Sequence, residues 1–91
     1  MQIELTVRAA EDLEYWKKTG NNPVLKKIRI LLENIIETPF SGIGKPELLK
    51  HDLSGKWSRR ITQSDRIIYQ VVGDTVYIFS LKGHYSRTKK G

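Results

Sequence analysis

The chain has 91 residues, 38% hydrophobic and 29% charged, with 16 Lys/Arg against 10 Asp/Glu and no cysteine. That length supports one core and not two, and the composition is that of a folded protein rather than a disordered or fibrous one. Without cysteine there is neither a disulfide framework nor a zinc–thiolate site, and the apolar runs fall far short of the roughly 20 residues needed to span a bilayer. The opening stretch Met1 to Leu13 also lacks a charged segment followed by an apolar one, so a cytoplasmic protein with no membrane association is expected.

The net charge of +6 is unevenly placed. Residues 1–44 carry six basic and six acidic side chains, whereas from Lys45 onward ten Lys/Arg stand against Glu47, Asp52, Asp65 and Asp74. A basic excess confined to one half is the footprint of a polyanion partner. The plainer reading is a solubilising surface.

Gln2 to Val7 alternates polar and apolar residues, as a half-buried strand does. From Val7 through Ala10, Leu13 and Trp16 the spacing turns helical, and Gly20-Asn21-Asn22 stops it. A second helix opens with Asn22 as N-cap and Pro23 at the first helical position. Its apolar stripe runs through Val24, Leu25, Ile28, Leu31, Leu32, Ile35 and Ile36, and Thr38-Pro39 ends it. Phe40 to Pro46, rich in Gly and Pro, reads as a loop able to bring its backbone close to a ligand.

Glu47 to Leu53 fits either a short strand or a turn. Three strand-like runs follow, Lys56 to Thr62, Arg66 to Val72 and Thr75 to Lys82, the last two joined by the two-residue hairpin signal Gly73-Asp74. The fold class expected is α+β: an N-terminal strand, two helices, then an antiparallel sheet against which the helices pack. Residues 1–85 form the single domain, and residues 86–91 are a basic C-terminal tail too polar to join a core.

With Gln63-Ser64-Asp65 as the turn, Thr62 faces Arg66, and alternation puts Ser58, Arg60, Thr62, Arg66, Ile68 and Gln70 on one face. Trp57, Ile61, Ile67, Tyr69 and Val71 take the core face. Arg60 and Arg66 are then neighbours pointing to the same side. Such a pair repels itself, which is tolerable where an anion binds between them, although two arginines on a solvated face read the same way. Arg59 points the opposite way by parity and ranks below Arg60.

Counting through the Gly73-Asp74 hairpin pairs Arg66 with Leu81 and sends His84 to the opposite face, unless a bend at Gly83 re-aims it. Taken alone, His84 is an ordinary surface histidine, although its usual pKa suits proton transfer. His51, beside Lys50 and Asp52, has nothing in its context that favours it. Tyr85 offers a hydroxyl or a stacking ring, or simply packs at the C-terminus. Trp16 and Trp57 read as core. If the fold gathers them, Glu47, Lys50, Arg59, Arg60, Arg66 and His84 provide a carboxylate, an imidazole and cations, the parts needed to cleave RNA without a metal.

The string Lys45-Pro46-Glu47-Leu48-Leu49-Lys50-His51, followed by Leu53-Ser54-Gly55-Lys56-Trp57-Ser58-Arg59-Arg60-Ile61, Arg66-Ile67-Ile68-Tyr69 and His84-Tyr85, resembles the Txe/YoeB family of bacterial toxins. That family lies within the RelE superfamily of ribosome-dependent mRNA endoribonucleases. The resemblance runs from the first strand through Glu14-Tyr15-Trp16 and Thr38-Pro39-Phe40 to Tyr85. It implies a microbial-RNase-like fold in which Glu47 is the general base, His84 the general acid, and Arg66 the group that stabilises the phosphorane. Tyr85 contacts the nucleotide in the same site, and Lys50 and Arg60 are supporting cations.

The resemblance further implies cleavage of mRNA in the ribosomal A site, no cofactor, a homodimer, and inhibition by a YefM/Phd-type antitoxin with a partly disordered acidic C-terminal segment. Family members often end at the His-Tyr pair, and here Ser86 to Gly91 follow it. These residues are expected to strengthen ribosome or RNA attachment without entering the bond-breaking step. The competing reading is a non-catalytic RNA- or ribosome-binding module of the same fold. It needs Arg60 and Arg66 but not Glu47, because a carboxylate in a phosphate site opposes binding unless it acts as a base.

Overall fold

Thr6 ends the first strand, β1 (Gln2–Leu5), and opens the first helix, α1 (Val7–Thr19). Its hydroxyl accepts the Ala9 N–H at 3.1 Å, filling one of the unpaired donors at the helix start, and it donates to the Phe79 carbonyl at 3.1 Å. Gly20, left-handed at φ 68, closes the helix. The second helix, α2 (Asn22–Glu37), begins one residue earlier than the cap pattern predicts. Asn21, not Asn22, is the N-cap and accepts the Val24 N–H at 3.2 Å.

The computed structural model describes residues 1–83. Beyond α2 lie β2 (Glu47–Leu48), a single 3-10 turn (His51–Leu53), β3 (Trp57–Arg60), β4 (Arg66–Val72) and β5 (Thr75–Ser80). They form one five-stranded sheet in the order β1-β5-β4-β3-β2. The meander β2 to β5 is antiparallel as expected, but β1 lies parallel to β5 at the far edge, so the sheet is mixed. The open choice over Glu47 to Leu53 resolves into both forms, a two-residue strand followed by a turn.

The core lies between the helices and one sheet face. Val24, Ile28, Leu31 and Ile35 of α2 and Ala9 and Trp16 of α1 meet Ile67, Tyr69, Val76 and Ile78. Each fully buried aliphatic side chain contributes about 1.5–3 kcal/mol of transfer free energy. Ile36, counted into the stripe from its spacing, is exposed. Among the described residues no helix is long and apolar enough to cross a membrane.

Two details of register govern the other face. The β3–β4 connection is wider than a three-residue turn, so Arg60 rather than Thr62 stands opposite Arg66. The slip is two positions, which preserves the facing of every side chain. Between β4 and β5 the Gly73-Asp74 hairpin pairs Val72 with Thr75, and the count holds as far as Tyr69 with Ile78. A bulge at Phe79 then shifts Ile68 onto Ser80, and the Arg66 N–H reaches the Gly83 carbonyl at 3.0 Å, so the expected Arg66–Leu81 pairing is displaced.

Candidate active site

The sheet face turned away from the main core carries the site. In the ladders Glu47 pairs with Ser58, Ser58 with Ile68, and Arg60 with Arg66. Paired residues share a face, as do residues two apart on one strand. Glu47, Ser58, Arg60 and Arg66 therefore form one patch across β2, β3 and β4. Glu47 is exposed, Arg60 and Arg66 are half-buried, and Ser58 is fully buried. Among the described residues the Ser58 hydroxyl and Arg60 Nε are buried with no hydrogen-bond partner. Leaving such groups unmet costs about 1–3 kcal/mol each.

Lys50 is exposed immediately beyond β2, at the start of the 3-10 turn. His51 follows it with φ 60, and Lys45 on the other side of β2 has φ 53. Positive φ at two non-glycine residues flanking so short a strand marks a backbone shaped by its surroundings rather than by local preference.

Arg59 does not reach this face. Its parity turns it into the core, where its exposure is 0% and all five of its N–H groups are used within the protein. Nε donates to the Tyr69 hydroxyl at 3.1 Å, and one terminal nitrogen donates to Asn34 Oδ1 at 2.5 Å and the Ile43 carbonyl at 3.1 Å. The other donates to the carbonyls of Thr38 at 2.5 Å and Ser41 at 2.8 Å. Its expected role as an RNA-binding cation is corrected accordingly: Arg59 is the buried organiser of the loop that leads to Glu47.

In that loop the carbonyls of Thr38, Ser41 and Ile43 turn inward to the guanidinium. Gly44, at φ 80, passes so close to the core that a Cβ there would stand 2.7 Å from Leu31 Cδ2 and 3.2 Å from Arg59 Cβ. The Arg60 N–H donates to its carbonyl at 2.7 Å, stitching the loop to β3. Tyr69 completes the hub by donating its hydroxyl to the Pro39 carbonyl at 2.7 Å. Burial pushes the Tyr69 phenol above its ordinary pKa of 10.0, while the hydrogen bond from Arg59 and its positive charge pull the other way.

The path towards His84 is fixed at two residues. Leu81 gives its N–H to Asp12 Oδ2 at 2.9 Å and takes the Trp16 indole N–H on its carbonyl at 2.9 Å. Gly83 gives its N–H to Asp65 Oδ1 at 2.8 Å, and its φ of 81 puts a bend, as anticipated, past the end of β5 at Ser80. His84, Tyr85 and the tail 86–91 lie outside the described residues. Sequence reasoning passed over Ser58, Asp65 and Asp12. Only Ser58 carried a signal, its place in the same parity set as Arg60.

This arrangement of a two-helix cover, a mixed five-stranded sheet and a basic patch with one carboxylate has known counterparts. The family described as the YoeB-like toxin of bacterial type II toxin–antitoxin systems matches residues 5–85. The chain belongs to this family. Toxin YoeB of Escherichia coli strain K12 is 47% identical over 85 residues, 93% of this chain and 100% of that one. A YoeB/ParE toxin structure from Agrobacterium tumefaciens superposes with a TM-score of 0.89 at 39% identity, covering 93% of this chain and 100% of the other. Two Staphylococcus aureus structures, a heterotetrameric YoeB–YefM complex and a YoeB dimer, give TM-scores of 0.84 and 0.85, each at 38% identity and covering 93% of this chain and 98% of theirs. The α+β fold is thus that of the family.

Proposed function

We propose that the chain is a ribosome-dependent endoribonuclease that halts translation in the cytoplasm by cutting mRNA in the A site. Glu47 removes the 2'-hydroxyl proton, and the oxygen attacks the adjacent phosphorus. Arg66, with Arg60 and Lys50, takes up the charge that develops on the non-bridging oxygens. His84 protonates the departing 5'-oxygen, and Tyr85 contacts the nucleotide. The products are a 2',3'-cyclic phosphate, or the 3'-phosphate formed from it, and a 5'-hydroxyl.

The observation that carries this reading is the register that sets Glu47 on the same face as Arg60 and Arg66. A module that only bound RNA would gain from the two arginines and lose from the carboxylate. By analogy with the S. aureus complex and dimer, the chain pairs with a YefM/Phd-type antitoxin and with a second copy of itself. The test compares wild type with Glu47→Ala and His84→Ala on translating ribosomes, reading the product ends. Each substitution is expected to lower cleavage at least about 100-fold. Products bearing 5'-phosphates, or undiminished cleavage by both variants, would falsify the mechanism.

A further inference from the structure

On one side of Glu47 the pairing of β2 with β3 is regular. Glu47 faces Ser58, and two residues on the Leu49 N–H reaches the Lys56 carbonyl at 2.9 Å. Carried the other way, the same count would send the Arg60 N–H to the carbonyl of Lys45. It goes to that of Gly44 instead, at 2.7 Å. Lys45 is therefore an extra residue opposite Arg60, a bulge in the approach to β2, two positions before the proposed base.

The neighbours impose the shape of this bulge. Gly44 is pressed against Leu31 and Arg59 with no room for a Cβ, and Pro46 has its φ fixed by its ring. Between them Lys45 takes φ 53, a left-handed conformation that strains a lysine and suits a glycine. Backbone preference alone thus favours glycine or asparagine here, yet the position holds a lysine. The residue is exposed, and among the described residues its ammonium forms no ion pair, even with Glu47. The strain is therefore not offset by any salt bridge within the described fold.

Counting back two from Glu47 puts Lys45 on the face that carries Arg60 and Arg66, and the bulge sets it opposite Arg60. Lys45, Arg60 and Arg66 then make a row of three cations on adjoining lengths of chain, about 10 Å from end to end. With the scissile phosphate held between Glu47 and Arg66, the lysine at the other end of the row is placed for the next phosphate along the strand. We propose that Lys45 is a substrate-contacting residue that binds a phosphate flanking the scissile one, and that the strained backbone is kept in order to present it. This inference rests on the endoribonuclease reading above. Contacts of this kind set the register of a nucleic acid without reading its bases.

The test is single-turnover cleavage of mRNA on programmed ribosomes, with the full chain and its Lys45→Gly, Lys45→Ala and Lys45→Arg variants titrated in excess over ribosome. Three messages are compared: one with natural linkages, and two with an uncharged methylphosphonate at the linkage 5' or 3' of the cleaved one. On the natural message Lys45→Gly and Lys45→Ala should each need about tenfold more protein for half of the maximal rate. Their rate at saturation should stay within about twofold of wild type, and Lys45→Arg should match wild type in both measures. Wild type should weaken to the same degree on one of the methylphosphonate messages. Lys45→Gly should weaken no further there, because the charge that the lysine meets is already gone. In urea Lys45→Gly should unfold at a higher midpoint than Lys45→Ala, since only glycine relieves the strain.

A Lys45→Gly variant as potent as wild type on the natural message overturns the proposal. So does one that weakens further on both methylphosphonate messages, because the lysine then acts on something other than a flanking phosphate, ribosomal RNA included. A loss confined to the rate at saturation would move Lys45 to the scissile phosphate and overturn the flanking assignment. A Lys45→Gly midpoint at or below that of Lys45→Ala would remove the strain from the account and overturn its second half. If wild type leaves the natural message uncut, the endoribonuclease reading fails first and takes this inference with it.

Discussion

Two stretches of backbone lead to the proposed base and acid, and they are secured in opposite ways. Residues 38–46, ahead of Glu47, are drawn onto the core by the Arg59 guanidinium and the Tyr69 hydroxyl. Residues 81–83, ahead of His84, are held from their flanks by Asp12 and Trp16 on one side and Asp65 on the other. The first stretch cannot loosen without opening the core, because both groups that hold it are fully buried. At Gly83 the second is held by Asp65 and Arg66, which are only half-buried. Damage to the first stretch should therefore cost much stability, and damage to the second little.

The strongest attack on that contrast is Arg59→Lys. An ammonium keeps the charge but offers three donors from one point, whereas Arg59 uses five from a planar fork, three of them on loop carbonyls and two on Asn34 and Tyr69. Several acceptors are left unmet, at about 1–3 kcal/mol each where they are buried. The unfolding free energy from urea titration should fall by about 3 kcal/mol or more. A variant as stable as wild type would show that the loop stands without the fork, and the distinction between the two approaches would collapse.

A smaller effect, with a pH signature, is expected of Tyr69→Phe. It removes the bond to the Pro39 carbonyl and leaves Arg59 Nε without its acceptor, a loss of about 1–2 kcal/mol near neutral pH. The folded protein holds the phenol's pKa above 10.0. The neutral phenol is thus favoured on folding, and the stability it contributes is full below the unfolded pKa and is lost as pH rises through the folded value. Above about pH 10 wild type should lose this contribution while Tyr69→Phe has none to lose, so the gap between them closes. A gap that is constant or widening from pH 8 to 11 would contradict the hub.

These differences bear on what could be read from the residues alone. Strand parity put Arg60 and Arg66 on one face and Arg59 on the other, and all three stand as parity requires, because one buried face fixes side-chain alternation even when the register slips by two. The role of Arg59 was not legible, since its partners come from Asn34, Thr38, Ser41 and Ile43, which no local pattern ties to β3. Glu47 could be nominated but not placed: a two-residue strand after Pro46 carries too little periodicity to distinguish from a turn. The parallel seat of β1 was equally hidden, depending on a partner more than seventy residues away in sequence. The glycine at 83 did announce a bend. The carboxylate that secures it did not, because an Asp in a turn is ordinary turn chemistry until the chain it reaches is known.

The mildest test falls on the other oxygen of that carboxylate. Thr62→Val keeps the shape of the side chain while removing the hydroxyl that donates to Asp65 Oδ2 and accepts the Ser64 N–H. The bond from Gly83 to Oδ1 is untouched. Asp65 would then be held in the turn by its main chain alone and would wander more about its own side-chain torsions. A stability change of no more than about 1 kcal/mol is expected, from the net worth of a part-exposed hydrogen bond. Because the hydroxyl acts only through the carboxylate, Thr62→Val added to Asp65→Ala should destabilise the protein no further. An additive double variant would mean that Thr62 supports the turn by a separate route, and that the turn beside Gly83 rests on more than the one carboxylate.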